Sequence, residues 1–349
     1  MKILIIPDVH GSHNWEIAKE KIAEVDYVVF LGDFFDSWTN AWPDQGENFK
    51  NICDFKRKNM DKVVLLLGNH DFSYLTGTRE GDRVSGHQYS KHTEIRALLT
   101  ANLDILDLAF EADGFVFSHA GFSKTWVRYM KQAFHEMFDK YPDDEGRTEF
   151  ESKEDFEQYK AKIESSALIW DENEWSVSKL NEVWHTLSHF PGDENFIYGF
   201  DELLDWHGCF SGSGNEVTQG PLWIRPEALL KDAYYPKQVV GHTEYCIDNY
   251  CALKKGDNYL LVADSPSHAV MEVFDTENPP AAETILDYEK FYKRAKKSIN
   301  AVKSNVGILT LTEDDKDPEA KKELIMQYLN QHFGDKAEIV YKNFFKEEE

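Results

Sequence analysis

Five short apolar runs in this 349-residue chain end in side chains that carry lone pairs. KILII (2–6) runs into Pro7-Asp8-Val9-His10-Gly11, and YVVFL (27–31) into Gly32-Asp33-Phe34-Phe35-Asp36. VVLLL (63–67) meets Gly68-Asn69-His70-Asp71, FVF (115–117) meets Ser118-His119-Ala120-Gly121, and QVV (238–240) meets Gly241-His242-Thr243. Collected, the tips offer Asp8, His10, Asp33, Asn69, His119 and His242. This oxygen and nitrogen set without sulfur suits Mn, Fe or Zn rather than copper or an iron–sulfur cluster. A carboxylate has a lone pair on each side and can bridge two metals about 3.5–4 Å apart, the spacing used for in-line displacement at phosphorus. Six ligands with one shared imply a dinuclear site. One such tip alone is a weak signal; five, each after an apolar strand and most beside glycine, are specific in combination.

The elements that must position these tips follow from periodicity. The five runs are short and rich in β-branched or aromatic residues, which favours strands. Between Asn14 and Val25, apolar residues at Trp15, Ala18, Ile22 and Val25 recur at three and four, the mark of a helix with one buried stripe. Strands alternating with such helices make an α/β unit, and in open α/β sheets ligands gather at the carboxyl ends of the strands. From about 124 to 220 the sequence turns aromatic and acidic with helical spacing, as in Trp126, Tyr129, Met130, Phe134 and Phe138, and reads as a largely helical insertion, serving either as core or as a cap over the metals. Strand-like sequence resumes at 238–241, YLLVA (259–263) and VMEVF (270–274). NPPAA (278–282) then breaks the chain. Beyond it the pattern gives a charged helix near 285–304, a strand GILTLT (307–312), a helix from Asp317 to about Phe333, and a strand AEIVY (337–341). The expected domains are 1–277, catalytic and including the insertion, and 278–349, an α/β extension.

Composition narrows the class. A chain that is 42% hydrophobic can bury a substantial core. Sixty-three acidic against 38 basic residues leave a charge of -25, which repels phosphate backbones and disfavours long nucleic-acid substrates. The longest apolar stretches fall far short of the roughly 20 residues that cross a bilayer, so no membrane association is expected and the protein reads as soluble and cytoplasmic. Cys53, Cys209, Cys246 and Cys251 form no Cys-x-x-Cys and read as reduced, packed thiols. His13, His87 and His92 read as solvated, SGSGN (211–215) as a flexible turn, and Asp264 as a structural carboxylate near the ligands.

The order Asp-x-His-Gly, Gly-Asp-x-x-Asp, Gly-Asn-His-Asp, Ser-His-Ala-Gly and Gly-His-Thr resembles the calcineurin-like metallophosphoesterase superfamily. SHAGF, GPLWIRP (220–226) and VVGHTE are similar to bacterial and phage members of its phosphoprotein (serine/threonine) phosphatase branch. The resemblance covers roughly 1–122 and 220–275. It implies two packed β-sheets flanked by helices, with Asp8 and His10 on a first metal, Asp33 bridging, and Asn69, His119 and His242 on a second. It also implies His70 as the catalytic imidazole, Asp36 as its orienting carboxylate and two divalent ions, Mn first and Fe or Zn as alternatives. Two such ions supply hydroxide near neutral pH and neutralise the phosphoryl oxygens. His70 can then protonate the departing alkoxide.

Three departures bear on substrate. Ser37 stands where the phosphatase branch usually has a phosphate-gripping Arg, Asp71 stands in place of Glu, and Glu244 occupies the position where diesterases end Gly-His-x-His. Arg225 is the remaining candidate to clamp phosphate through its guanidinium fork, against a reading as an ordinary surface side chain. The expected function is therefore hydrolysis of phosphomonoesters, on a phosphoserine or phosphothreonine protein or on a small phosphorylated molecule. A phosphodiesterase or nuclease and a dinucleoside-polyphosphate hydrolase are the alternatives, and a scaffold without catalysis ranks below them because no ligand is lost.

Overall fold

The computed structural model describes residues 1–75, 84–130, 175–188, 214–265, 273–286 and 318–345, with scattered positions between these, including most of 288–300. Eleven strands are defined among them: β1 (Lys2–Ile6), β2 (Tyr27–Phe30), β3 (Val63–Leu66), β4 (Leu106–Asp107), β5 (Ala109–Ala112), β6 (Phe115–Ser118), β7 (Lys237–Val240), β8 (Cys251–Lys255), β9 (Asn258–Val262), β10 (Phe274–Asp275) and β11 (Glu283–Thr284). They form two mixed sheets, ordered β10-β1-β2-β3-β4 and β11-β8-β9-β7-β6-β5. Strands β1 to β4 run parallel, as do β6, β7 and β9, so all five ligand-bearing tips belong to parallel strands.

Alternation along the strands builds the layers, because successive side chains point to opposite faces. Ile3 and Ile5 of β1, Val29 and Leu31, and Val64 and Leu66 face Phe115, Phe117, Val239 and Leu261 of the other sheet. Leu4, Ile6, Val28, Phe30, Val63 and Leu65 face outward onto Trp15, Phe49 and Ile52 of the helical layer. On the far side Val240, Leu260 and Val262 pack beneath Leu229 of the helix Pro226–Asp232 and beneath Tyr288. The result is two sheets face to face with helices outside each. Parallel strands buried on both faces are near-continuously apolar, which is why the runs could be seen in the sequence.

Two stretches of the insertion, 124–130 and 175–188, pack into the core. Trp126, Met130, Trp175, Leu180 and Trp184 are all buried in the first helical layer. The helix Val177–Ser188 covers the two sheet edges: Asn181 accepts from the Leu108 and Ala109 N–H groups, and the Trp184 indole donates to the Leu106 carbonyl. Covering edges in this way hides backbone that would otherwise invite pairing with another chain. Phe134 and Phe138 lie outside the described residues, as do GILTLT and Met271 and Glu272 of VMEVF, of which Phe274 joins β10.

One element differs. AEIVY is the core of a helix, Ala337–Phe344, not a strand. Its buried positions Ala337, Val340 and Asn343 recur at three, packing on Ile325 and Leu329 of the helix Pro318–Phe333. A five-residue apolar run is ambiguous between the two periods, and here the tertiary partner decided against β propensity.

Candidate metal centre

The strand tips meet because the chain leaves each sheet in conformations that ordinary residues avoid. Among the described residues five non-glycine positions have positive φ, and four are His10 (41°), Asp33 (52°), Asp36 (66°) and His242 (63°). Each such backbone costs about 1–3 kcal/mol and persists only where the surroundings enforce it. The surroundings are the neighbouring tips. Val9, His10 and Gly11 donate backbone hydrogen bonds to the carbonyls of Asp33 and Phe34, and Gly241 N donates to His119 O at 2.9 Å. The two sheets are tied by His242 N, which donates to both Asp8 oxygens at 2.9 and 3.1 Å. His70 N donates to Asp33 Oδ1 at 2.9 Å.

The glycines follow from this crowding. A Cβ on Gly68 would collide with the Asp33 carboxylate and one on Gly241 with Asp8. Gly68 and Gly241 are therefore required so that one tip's carboxylate can lie against the next tip's backbone.

All six tip side chains converge. Asp8, Asp33, Asn69 and His119 are each at most 4% exposed. His10 Nε2 lies 3.7 Å from Asp33 Oδ2, and His119 Nε2 lies 3.6 Å from the same oxygen. Two ligand-type groups, His10 with Asp33 and His70, and Asp8 with Asp33 and His119, each bring their atoms within 4.8 Å of one another. Asp33 is common to both.

The imidazole tautomers are set by backbone carbonyls. His10 Nδ1 faces Phe35 O at 2.7 Å, His119 Nδ1 faces Leu31 O at 2.8 Å, and His242 Nε2 faces Trp223 O at 3.1 Å. A ring nitrogen opposite a carbonyl carries the proton, so the other nitrogen keeps its lone pair, which is how metal-binding histidines are normally oriented. Consequently His119 Nε2 and His242 Nδ1 present lone pairs toward the amide oxygen of Asn69, at 2.8 and 3.2 Å. Three acceptors converging on one point repel each other unless a cation lies between them, and nitrogen and oxygen donors of this kind fit Mn, Fe or Zn.

The charges agree. Burial, with the Asp264 and Asp33 carboxylates, pushes the Asp8 carboxyl well above its usual range. For Asp33 burial acts upward, but the positive charge that the His119, His70 and His10 rings carry in the metal-free protein, with the His70 N–H, outweighs it and holds the group below that range. Burial, the His119 ring and the Arg225 guanidinium drive His242 well below the ordinary imidazole value, which keeps it neutral as a ligand must be.

Beside this cluster, His70 Nδ1 lies 2.9 Å from Asp36 Oδ2, with its ring edge against His10 at 4.8 Å between centroids. Burial acts downward on His70, but Asp33 and the Asp36 hydrogen bond prevail and raise it. Arg225 is exposed at the start of the helix Pro226–Asp232, on the segment whose Trp223 carbonyl holds His242.

Three residues outrun the sequence reading. Asp71 is fully buried and accepts from Phe34 N at 2.8 Å and Gly68 N at 3.0 Å, so it clamps the Asp33 and Asn69 loops together. Tyr74 donates a hydrogen bond to Asp36 Oδ1. His87, expected in solvent, is 6% exposed and stacks on Tyr74 at 4.1 Å. His13 is exposed as expected and pairs with Asp44.

The family pattern for calcineurin-like phosphoesterases matches residues 1–215, over half of the chain and five of the six clustered ligands. The chain belongs to the calcineurin-like phosphoesterase family. His242 lies beyond the matched residues, and the fold carries it to the other five. A metallophosphoesterase from Sphaerobacter thermophilus is similar at 18% identity over 37% of this chain and 53% of that one, with a TM-score of 0.21. No curated protein matches. Among the described residues no helix is long and apolar enough to cross a membrane.

Proposed function

We propose that this phosphoesterase hydrolyses phosphomonoesters, of a phosphorylated protein or a small molecule, at a dinuclear centre held by Asp8, His10, Asp33, Asn69, His119 and His242. The observation that carries this is the convergence of the Asn69, His119 and His242 lone pairs next to an Asp33 carboxylate shared with His10. Two divalent ions held by these residues, Mn being the first choice, would lower the pKa of water and neutralise charge on the phosphoryl group. The chain's own residues do the rest. Asp33 faces both halves of the site and sets their separation. His70, held by Asp36 beside the cluster, gives its proton to the leaving oxygen. Arg225 supplies positive charge beside His242 and contacts the substrate phosphate through its planar fork. Ser37 leaves that grip to Arg225 alone, which suits a compact monoester dianion.

The test is Mn²⁺-dependent turnover of a chromogenic aryl phosphomonoester against the bis-aryl diester, in the parent and in His70→Asn. The expected result is preference for the monoester over the diester in the parent, and for His70→Asn a loss of roughly 10²–10⁴-fold in kcat on an alkyl phosphomonoester, whose basic leaving oxygen needs the proton, with metal content unchanged. Preference for the diester, or full activity of His70→Asn on the alkyl phosphomonoester, contradicts the reading.

A further inference from the structure

We propose that Tyr74 is a positioning residue for proton donation, clamping the Asp36 carboxylate so that it aims His70 at the leaving group. The inference deepens the phosphomonoesterase reading and rests on it. The helix Asn69–Leu75 starts directly after β3, and His70 and Tyr74 sit one turn apart on it, at i and i+4, so their side chains share a face. That face meets Asp36, which is 1% exposed and held at a φ of 66°. One carboxylate oxygen faces His70 Nδ1 at 2.9 Å and the other accepts from the Tyr74 hydroxyl.

A carboxylate with a single donor can rotate about its terminal torsion; one gripped at both oxygens has its plane fixed. The imidazole ring plane is then fixed with it. Tyr74 is itself immobilised: it is fully buried, its ring stacks on His87 at an interplanar angle of 17°, and its oxygen accepts from Gln88 N at 2.8 Å. Burial and the Asp36 charge both raise the Tyr74 phenol, so it stays a donor throughout the working range. A purely structural role, satisfying a buried hydroxyl, accounts for Gln88 but not for the choice of the His70 partner as acceptor.

The readout that separates the two roles is dependence on the leaving group. Proton donation matters most when the departing oxygen is basic, as in alkyl phosphates, and least for nitrophenyl phosphates, whose leaving group departs as a stable anion. With Mn²⁺-loaded enzyme, Tyr74→Phe should lower kcat on an alkyl phosphate by roughly tenfold or more and on a nitrophenyl phosphate by less than about threefold, with KM and metal content unchanged. In a His70→Asn background the same substitution should add less than about twofold to either. Equal losses on both substrates, or an undiminished effect without His70, overturn the proposal. Absence of activity in the parent would instead fail the phosphoesterase reading. As a measure that keeps the fold intact, site-specific replacement of Tyr74 by difluorotyrosine strengthens its donation. The His70 Nδ1 proton of the Zn²⁺-loaded protein should then move upfield in the NMR spectrum, and an unmoved resonance overturns the proposal.

Discussion

The two halves of the proposed metal centre are held in different ways. The half on the first sheet is self-braced: the Asp33 loop and the Asn69 loop are joined by Asp71, a residue of the same Gly-Asn-His-Asp run, and by backbone bonds between adjacent tips. The His242 half leans on chain that lies far away in sequence. Tyr288 donates to Tyr245 O at 3.0 Å and accepts from Ile247 N at 3.3 Å, Asn343 donates to Ile247 O at 2.8 Å, and Lys336 pairs with Asp248 at 2.6 Å. Within that loop Cys246 is buried and 3.1 Å from Cys251, the two sulfurs packed as thiols. Tyr288 and Asn343 thus brace one ligand loop from a distance, and the first half should tolerate their alteration while the second should not.

Asp71→Asn is the strongest way to break the self-braced half. It sets an amide N–H₂ against one of two buried backbone donors, which should cost about 1–3 kcal/mol in thermal or denaturant unfolding and about 10–100-fold in metal affinity by calorimetry. If the Asp33 side were held as the His242 side is, by distant contacts, the affinity would barely change. A smaller effect is expected from Tyr288→Phe, which removes the hydroxyl that ties the His242 loop: about 1 kcal/mol in stability, and weakened binding of one ion but not of the other.

The His70–Asp36 pair sharpens the same contrast through pH. Because His70 is raised, its active protonated form should persist above the ordinary imidazole range and activity should fall as pH climbs through the raised value. Asp36→Asn removes one of the groups that raise it, so the alkaline limb of the kcat profile should move toward acid; a limb that stays put would mean another group donates the proton. Lys336→Ala should matter least, since the Lys336–Asp248 pair is partly exposed to solvent and worth about 0–1 kcal/mol; an unfolding curve within error of the parent is expected.

How much of this could be read from the residues follows from distance along the chain. Each strand tip announces itself locally, an apolar run followed by glycine and a ligand, and the six positions named on that basis all converge. Their order also carried the family. The clamps are different in kind. Asp71 acts on Phe34, 37 residues away, and Tyr74 on Asp36 at a separation of 38, pairings that no local period encodes. His87 lies in polar sequence, and its burial comes with a stack on Tyr74 that polar local sequence does not signal. AEIVY failed for a related reason: its helical conformation is selected by Ile325 and Leu329, which a five-residue window does not contain.

The central claim is that Asp33 joins two cations held by tips from both sheets. Electron paramagnetic resonance of the Mn²⁺-loaded protein tests it most directly, because a shared carboxylate couples the two spins. The expected spectrum is that of an exchange-coupled pair, collapsing in Asp33→Ala to that of isolated ions; a spectrum of isolated ions in the parent at full loading would contradict it.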